Sequence, residues 1–185
     1  MSFDLTNQFL IAMPTLLDQN FEQTVTYVCL HNDEGAIGIV INRPLQLQLG
    51  EVLKQMDLNA DSDEIADQVV YHGGPVHGDR GFILHRPARE WDSTIKVTDD
   101  VAVTTSRDVL EAMSAGEGPR ESLVALGYAG WTGGQLEQEI AANAWLSGPA
   151  DLSIIFATPA AQRWQRAADL IGIDISAISH DVGHA

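Results

Sequence analysis

Short apolar runs and alternating stretches fill the first half of the chain, and a longer period enters only in the second. Phe9-Leu10-Ile11-Ala12-Met13 is an apolar run stopped by Pro14, the pattern of a buried strand. Thr24–His31 is rich in β-branched and aromatic residues and puts Val25, Tyr27 and Cys29 on one face. Asn32-Asp33-Glu34-Gly35 supplies turn residues, and Ala36–Ile41 is apolar again, so Thr24–Ile41 predicts a β-hairpin ended by Asn42-Arg43-Pro44. Gly50–Met56 predicts a short helix and Asn59–Asp67 an exposed acidic loop. Val69–His72 and Phe82–His85 predict strands flanking a turn over Gly73–Gly78. Thr94–Val97 and Val101–Thr104 predict a second hairpin.

Beyond that point strands and helices alternate. Thr105 or Ser106 is placed to cap a helix over Arg107–Ser114, with Asp108 favourable in its first turn. Ser122–Gly127 reads as a strand, and a helix is expected from Thr132 or Gly133 to about Trp145. Leu152–Phe156 reads as a strand, and Ala160–Ile171 as a helix ended by Gly172. The apolar tail Ile173–Ala185 is expected to pack back on the body. No repeat or linker interrupts the chain. Strands first and mixed elements later predict an α+β fold: one domain over 1–185 with a mixed, mainly antiparallel β-sheet flanked by helices.

Composition narrows what such a domain can do. With 185 residues, 45% of them hydrophobic and 19% charged, the chain suits one globular domain. No stretch reaches the ~20 apolar residues of a membrane helix. The start of the chain lacks the basic residues of a signal peptide, and Cys29 is the single cysteine, so a cytoplasmic location is expected. Ten Lys+Arg against 26 Asp+Glu give a formal charge of −16, which argues against direct nucleic-acid binding.

The densest chemistry lies in Gly127–Glu139, where a strand, four glycines and a helix start follow one another. Such a turn can present backbone N–H groups to an anion. It is not a phosphate-binding P-loop, because no Lys-Ser/Thr follows, and its glycines miss the dinucleotide spacing. Gln135, Glu139 and Asn143 recur every four residues, so one helix face carries all three. That stripe is either a solvated face beside tight helix–strand packing or part of a ligand site. Trp131, inside the glycine block, is the tryptophan expected to be partly exposed, where an indole can anchor a ligand. His72, His77, Asp79 and His85, and again His180, Asp181 and His184, have the residue types of a zinc site but no standard spacing, so no metal or cofactor is expected. Cys29 reads as a buried apolar thiol and Ser106 as a cap.

The segments Phe9–Pro14, Ile41–Pro44, Gly73–Pro75, Asp79–His85, Thr104–Leu110 and Leu126–Ala129 resemble the AlgH/YqgE family of bacterial proteins, as do Gly134–Ile140, Asn143–Leu146 and Arg163-Trp164. The resemblance spans nearly the whole chain. It implies a single α+β domain and carries the family's label of transcriptional regulator, with no enzymatic activity attached. It leaves His72, His77 and Gly130 outside the shared pattern and makes the first member of the double glycine, Gly133, less essential.

The expected function is therefore that of a non-enzymatic binding or regulatory protein acting on an unidentified protein partner or small ligand. Its candidate site residues are Asn42, Arg43, Arg80, His85, Ser106, Arg107, Tyr128, Trp131, Gln135, Glu139 and Asn143. The alternative is a hydrolase-type enzyme near Gly127–Glu139, in which His85 works with Glu139 or Ser106. Direct DNA binding ranks below both, and nothing in the sequence sets an oligomeric state.

Overall fold

The computed structural model describes residues 3–182. Its organising element is the twelve-residue strand Glu121–Thr132, which borders three other strands along its length. In chain order the elements are β1 (Gln8–Ala12), β2 (Val25–Asn32), β3 (Gly35–Val40), β4 (Pro44–Gln48), α1 (Leu49–Gln55), α2 (Asp63–Ala66), β5 (Val69–His72), β6 (Val76–Arg86), β7 (Thr94–Lys96), β8 (Ala102–Thr104) and α3 (Arg107–Ser114). The long strand is β9, followed by α4 (Gln135–Ala141), β10 (Trp145–Pro149), α5 (Leu152–Phe156), α6 (Ala160–Leu170) and α7 (Ile175–Val182). The strands form one sheet in the order β10-β1-β2-β3-β9-β6-β8-β7, with β4 and β5 joined to it through β9. Every pairing is antiparallel except β5 on β9. The α+β architecture with a mixed, mainly antiparallel sheet is thus the observed one.

Three apolar clusters hold the sheet. Phe9, Ile11, Tyr27, Ile39, Leu84 and Ala125 pack on one face with Ile154, Ala168 and Ile175 from α5, α6 and α7. Leu10, Val28, Trp131 and Trp145 pack with Leu136 of α4. Leu53, Val70, Ile83 and Val124 pack with Val109 and Leu110 of α3. β9 feeds all three because it changes face at Gly127, whose φ of 78° lies in the left-handed region.

Six sequence expectations are corrected, some by local capping and some by contacts remote in sequence. Gly127–Thr132 is not a turn but the second half of β9, pairing with β3. Its glycines serve close backbone approach: a Cβ on Gly127 would meet the Gly74 carbonyl at 2.4 Å, and one on Gly74 the Tyr128 carbonyl carbon at 2.1 Å. The expected turn over Gly73–Gly78 likewise becomes the start of β6, whose residues between Val76 and Gly81 bulge away from β9. Gly133, read as less essential, is as tightly placed, since a Cβ there would meet the Asp33 carbonyl at 2.5 Å.

α4 stops at Ala141 instead of reaching Trp145. Asn143 takes a left-handed φ of 61°, ending the helix, and Trp145 opens β10 opposite Ala12. Leu152–Phe156 is helical because Asp151 caps it, its carboxylate accepting the Ser153 N–H at 2.9 Å. Within the expected loop Asn59–Asp67, Ser62 caps the single turn α2 in the same way.

Candidate functional site

Most of the polar candidates hold backbone in place. Asn42 continues the edge of β3 with its side chain, accepting the Val25 N–H at 2.9 Å and donating to the Gln23 carbonyl at 2.9 Å. Arg43 grips the neighbouring loop by donating to the carbonyls of Gln19, Asn20 and Glu22. His85 is fully buried on β6, with Nδ1 3.0 Å from the Pro87 carbonyl and Nε2 2.7 Å from Thr104 Oγ1. A carbonyl only accepts, so Nδ1 carries the proton and Thr104 donates to Nε2. Thr94 Oγ1 completes the chain, 2.8 Å from Thr104 Oγ1. Burial lowers the His85 pKa, against the weaker upward pull of the Pro87 carbonyl, and keeps the ring neutral. Both its nitrogens are occupied, and neither Glu139 nor Ser106 is a partner.

Glu139 works elsewhere. Its Oε1 accepts the indole N–H of Trp145 at 3.0 Å and of Trp131 at 3.3 Å, while Oε2 accepts Gln135 Nε2 at 2.9 Å. Gln135 Oε1 in turn accepts the Thr132 N–H at 3.0 Å. Trp131, expected to be partly exposed, is buried: Phe21 stacks on it at 6.0 Å, and Trp145 meets it edge-on at 6.1 Å. Asn143 stands apart from Gln135 and Glu139, because the helix ends before reaching it. Beside this network, Tyr128, Gly130, Leu30, Ile37 and Val76 line a shallow groove of about 400 Å³.

Besides Tyr128 and Trp131, which both line that groove, three other candidates converge on open space. Arg80, Ser106 and Arg107 line a cavity of about 510 Å³ enclosed by α1, α3, β6 and β9. Its floor is apolar, with Val52, Met56, Ile83, Leu110 and Leu126. Its rim is polar, with Gln55, Asp79 and Arg80 beside the bonded Ser106 and Arg107. Arg107 donates to the Met56 carbonyl at 2.6 Å and pairs with Glu111 at 2.9 Å, tying α3 to the end of α1. Ser106 was expected to cap α3, yet its hydroxyl makes no bond to the helix backbone; it donates to Asp108 at 2.5 Å and accepts the Ser93 N–H at 2.9 Å. Partial burial works to raise the Asp108 carboxyl, but the hydrogen bonds from Ser106, Asp92 N–H and Val109 N–H outweigh it and hold the group below the usual carboxylate range. Arg80 is exposed, leans toward the Phe82 ring at 6.0 Å and makes no ion pair among the described residues.

The remaining chemistry is dispersed. Cys29 is buried, and burial pushes its thiol up to about 12, so no thiolate forms near neutrality. Among the described residues no three of His, Cys, Asp and Glu gather as a metal site. His184 and the side chains of His180 and Asp181 lie outside what is described. Sequence reasoning passed over His31, which accepts the Leu5 N–H at Nδ1 and gives its Nε2 proton to Glu137, joining the N-terminal segment to α4. The pair carries no local sequence signal, since 106 residues separate its members.

A model of the family described as AlgH-like matches residues 9–176. The chain belongs to the AlgH-like family. It is 60% identical to a UPF0301 protein of Thioalkalivibrio sulfidiphilus, covering all of this chain and 98% of that one. A UPF0301 protein of Methylococcus capsulatus is 54% identical over 97% of this chain and 96% of its own. The solution structure of the AlgH protein from Pseudomonas aeruginosa superposes with a TM-score of 0.80 at 48% identity, covering 98% of this chain and 96% of that one. A crystal structure of a Corynebacterium diphtheriae protein, 18% identical, shares the fold with a TM-score of 0.73 over 95% of this chain and 91% of that one. No helix among the described residues of this AlgH-like chain is long and apolar enough to cross a membrane.

Proposed function

We propose that this AlgH-like protein is a non-enzymatic binding protein whose site is the cavity between α1 and α3, and whose ligand is a small molecule with an apolar body and an anionic head. One observation carries the reading: Arg80, a guanidinium with no ion pair among the described residues, stands on the rim of a 510 Å³ cavity with an apolar floor. Apolar concavities with a few fixed polar groups are the usual form of small-ligand sites. Ser106 and Arg107 are already bonded to protein, so they shape the mouth instead of reacting. A protein partner inserting an apolar side chain would use the same floor without needing the free guanidinium.

Isothermal titration of octanoate and of octanol tests this. The reading expects octanoate to bind more tightly than octanol and Arg80→Ser to weaken octanoate alone, by about tenfold. Equal affinities for the two, unchanged in the variant, would leave Arg80 without a role in binding.

A further inference from the structure

Arg163, in the first turn of α6, is only 5% exposed. Its Nε donates to the Thr158 carbonyl at 2.9 Å, one Nη donates to the Ile41 carbonyl, and the guanidinium lies 5.0 Å over the Tyr71 ring. These partners satisfy donor directions without neutralising the charge. Among the described residues no carboxylate lies within 4.0 Å of it. A buried cation without a counter-charge is costly, and proteins ordinarily pair it.

Arg163 is one of the residues lining a second cavity, of about 390 Å³, between β5, the start of β9 and α5 and α6. This cavity shares only Val124 with the one between α1 and α3. Arg120 stands at its edge, exposed, and makes no ion pair among the described residues. Glu121 is the single acid in the lining, and Arg86 holds it at 3.4 Å. Ser122 and Gln68 add neutral hydrogen-bonding groups, while Phe156 and Ile155 add apolar wall. In a chain with 26 acidic and 10 basic residues, two arginines line one cavity whose single acid, Glu121, faces Arg86.

We propose that this cavity is an anion site for a phosphate monoester, held between the guanidiniums of Arg163 and Arg120. Planar guanidinium forks match phosphate oxygens, and a dianion answers two cations where a carboxylate answers one. The apolar wall receives the carbon part of the ester.

Amide NMR of the ¹⁵N-labelled full chain, titrated at constant ionic strength with inorganic phosphate, phenyl phosphate and benzoate, reads the site directly. The expected result is perturbation of Gln68, Tyr71 and Ser122, with phenyl phosphate tightest and benzoate weakest. Arg120→Ser is expected to weaken phenyl phosphate by about tenfold. Because the Arg120 side chain makes no hydrogen bond or ion pair among the described residues, that variant separates binding from stability; Arg163→Lys, checked by its melting transition, is expected to weaken binding similarly. Absence of perturbation at roughly 20 mM phosphate overturns the proposal. So does a response that sodium chloride reproduces or that Arg120→Ser leaves unchanged. Inorganic phosphate binding as tightly as the ester would remove the ester from the assignment, and benzoate binding most tightly would remove the phosphate.

Discussion

At the scale of single residues, polar side chains in this protein mostly replace missing backbone partners. Glu139 shows the case most clearly, since one carboxylate serves two buried indoles and the side chain that caps β9. Glu139→Ala leaves two indole N–H groups without their acceptor and should cost about 2–4 kcal/mol in urea unfolding, each orphaned donor carrying about 1–3 kcal/mol. Glu139→Gln keeps an acceptor oxygen and should cost less than half as much. Equal costs for the two variants would show that Glu139 matters by its charge.

His85 adds a pH dependence whose sign is fixed by burial. Its folded pKa lies below the ordinary value of about 6.5, so the unfolded chain binds the extra proton first. Its contribution is complete above about pH 6.5 and is lost as pH falls through the lowered folded value. The urea midpoint of the wild type should therefore fall between pH 7.5 and pH 5, and His85→Gln should fall less. A steeper fall in the variant would reverse the assignment.

At the scale of elements, hairpins were legible in the sequence because alternation and turn chemistry act within a few residues. The pairs β2–β3 and β7–β8 were readable for that reason, as was the end of α6 at Gly172. The block Gly127–Glu139 was not, because its glycines answer to a remote segment. Nothing near Gly127 announces that Gly73 and Gly74 cross it, so a strand that twists through a tight crossing read as a turn. Leu152–Phe156 failed differently: a short run with four apolar residues in five suits strand or helix equally, and the Asp151 cap decides. Gly127→Ala should destabilise the fold by about 2–4 kcal/mol, from a left-handed φ and a carbonyl 2.4 Å from the new Cβ. Gly134→Ala shares the positive φ but faces open space, so it should cost about 1 kcal/mol. Equal losses would mean that the crossing exerts no steric demand.

At the scale of the whole molecule, the sheet spreads the candidate residues over separate places. Arg43 and Asn42 secure one loop; Trp131, Gln135 and Glu139 close one cluster; Arg80, Ser106 and Arg107 surround one cavity. The sequence named those last three without grouping them, since only the packing of α1 and α3 on β6 brings them to a common rim. What the sequence could not supply was the apolar floor, because Val52, Met56, Ile83 and Leu110 read as ordinary core positions in three different elements. The proposed binding site therefore lies away from the glycine block that dominates the sequence.

The most direct test of that site is chemical-shift mapping of octanoate on the ¹⁵N-labelled chain. The account predicts shifts confined to α1, residues 79–81 and residues 105–110, lost when Val52→Trp fills the cavity. Shifts centred instead on Leu30, Ile37 and Tyr128, or binding that Val52→Trp leaves intact, would contradict it.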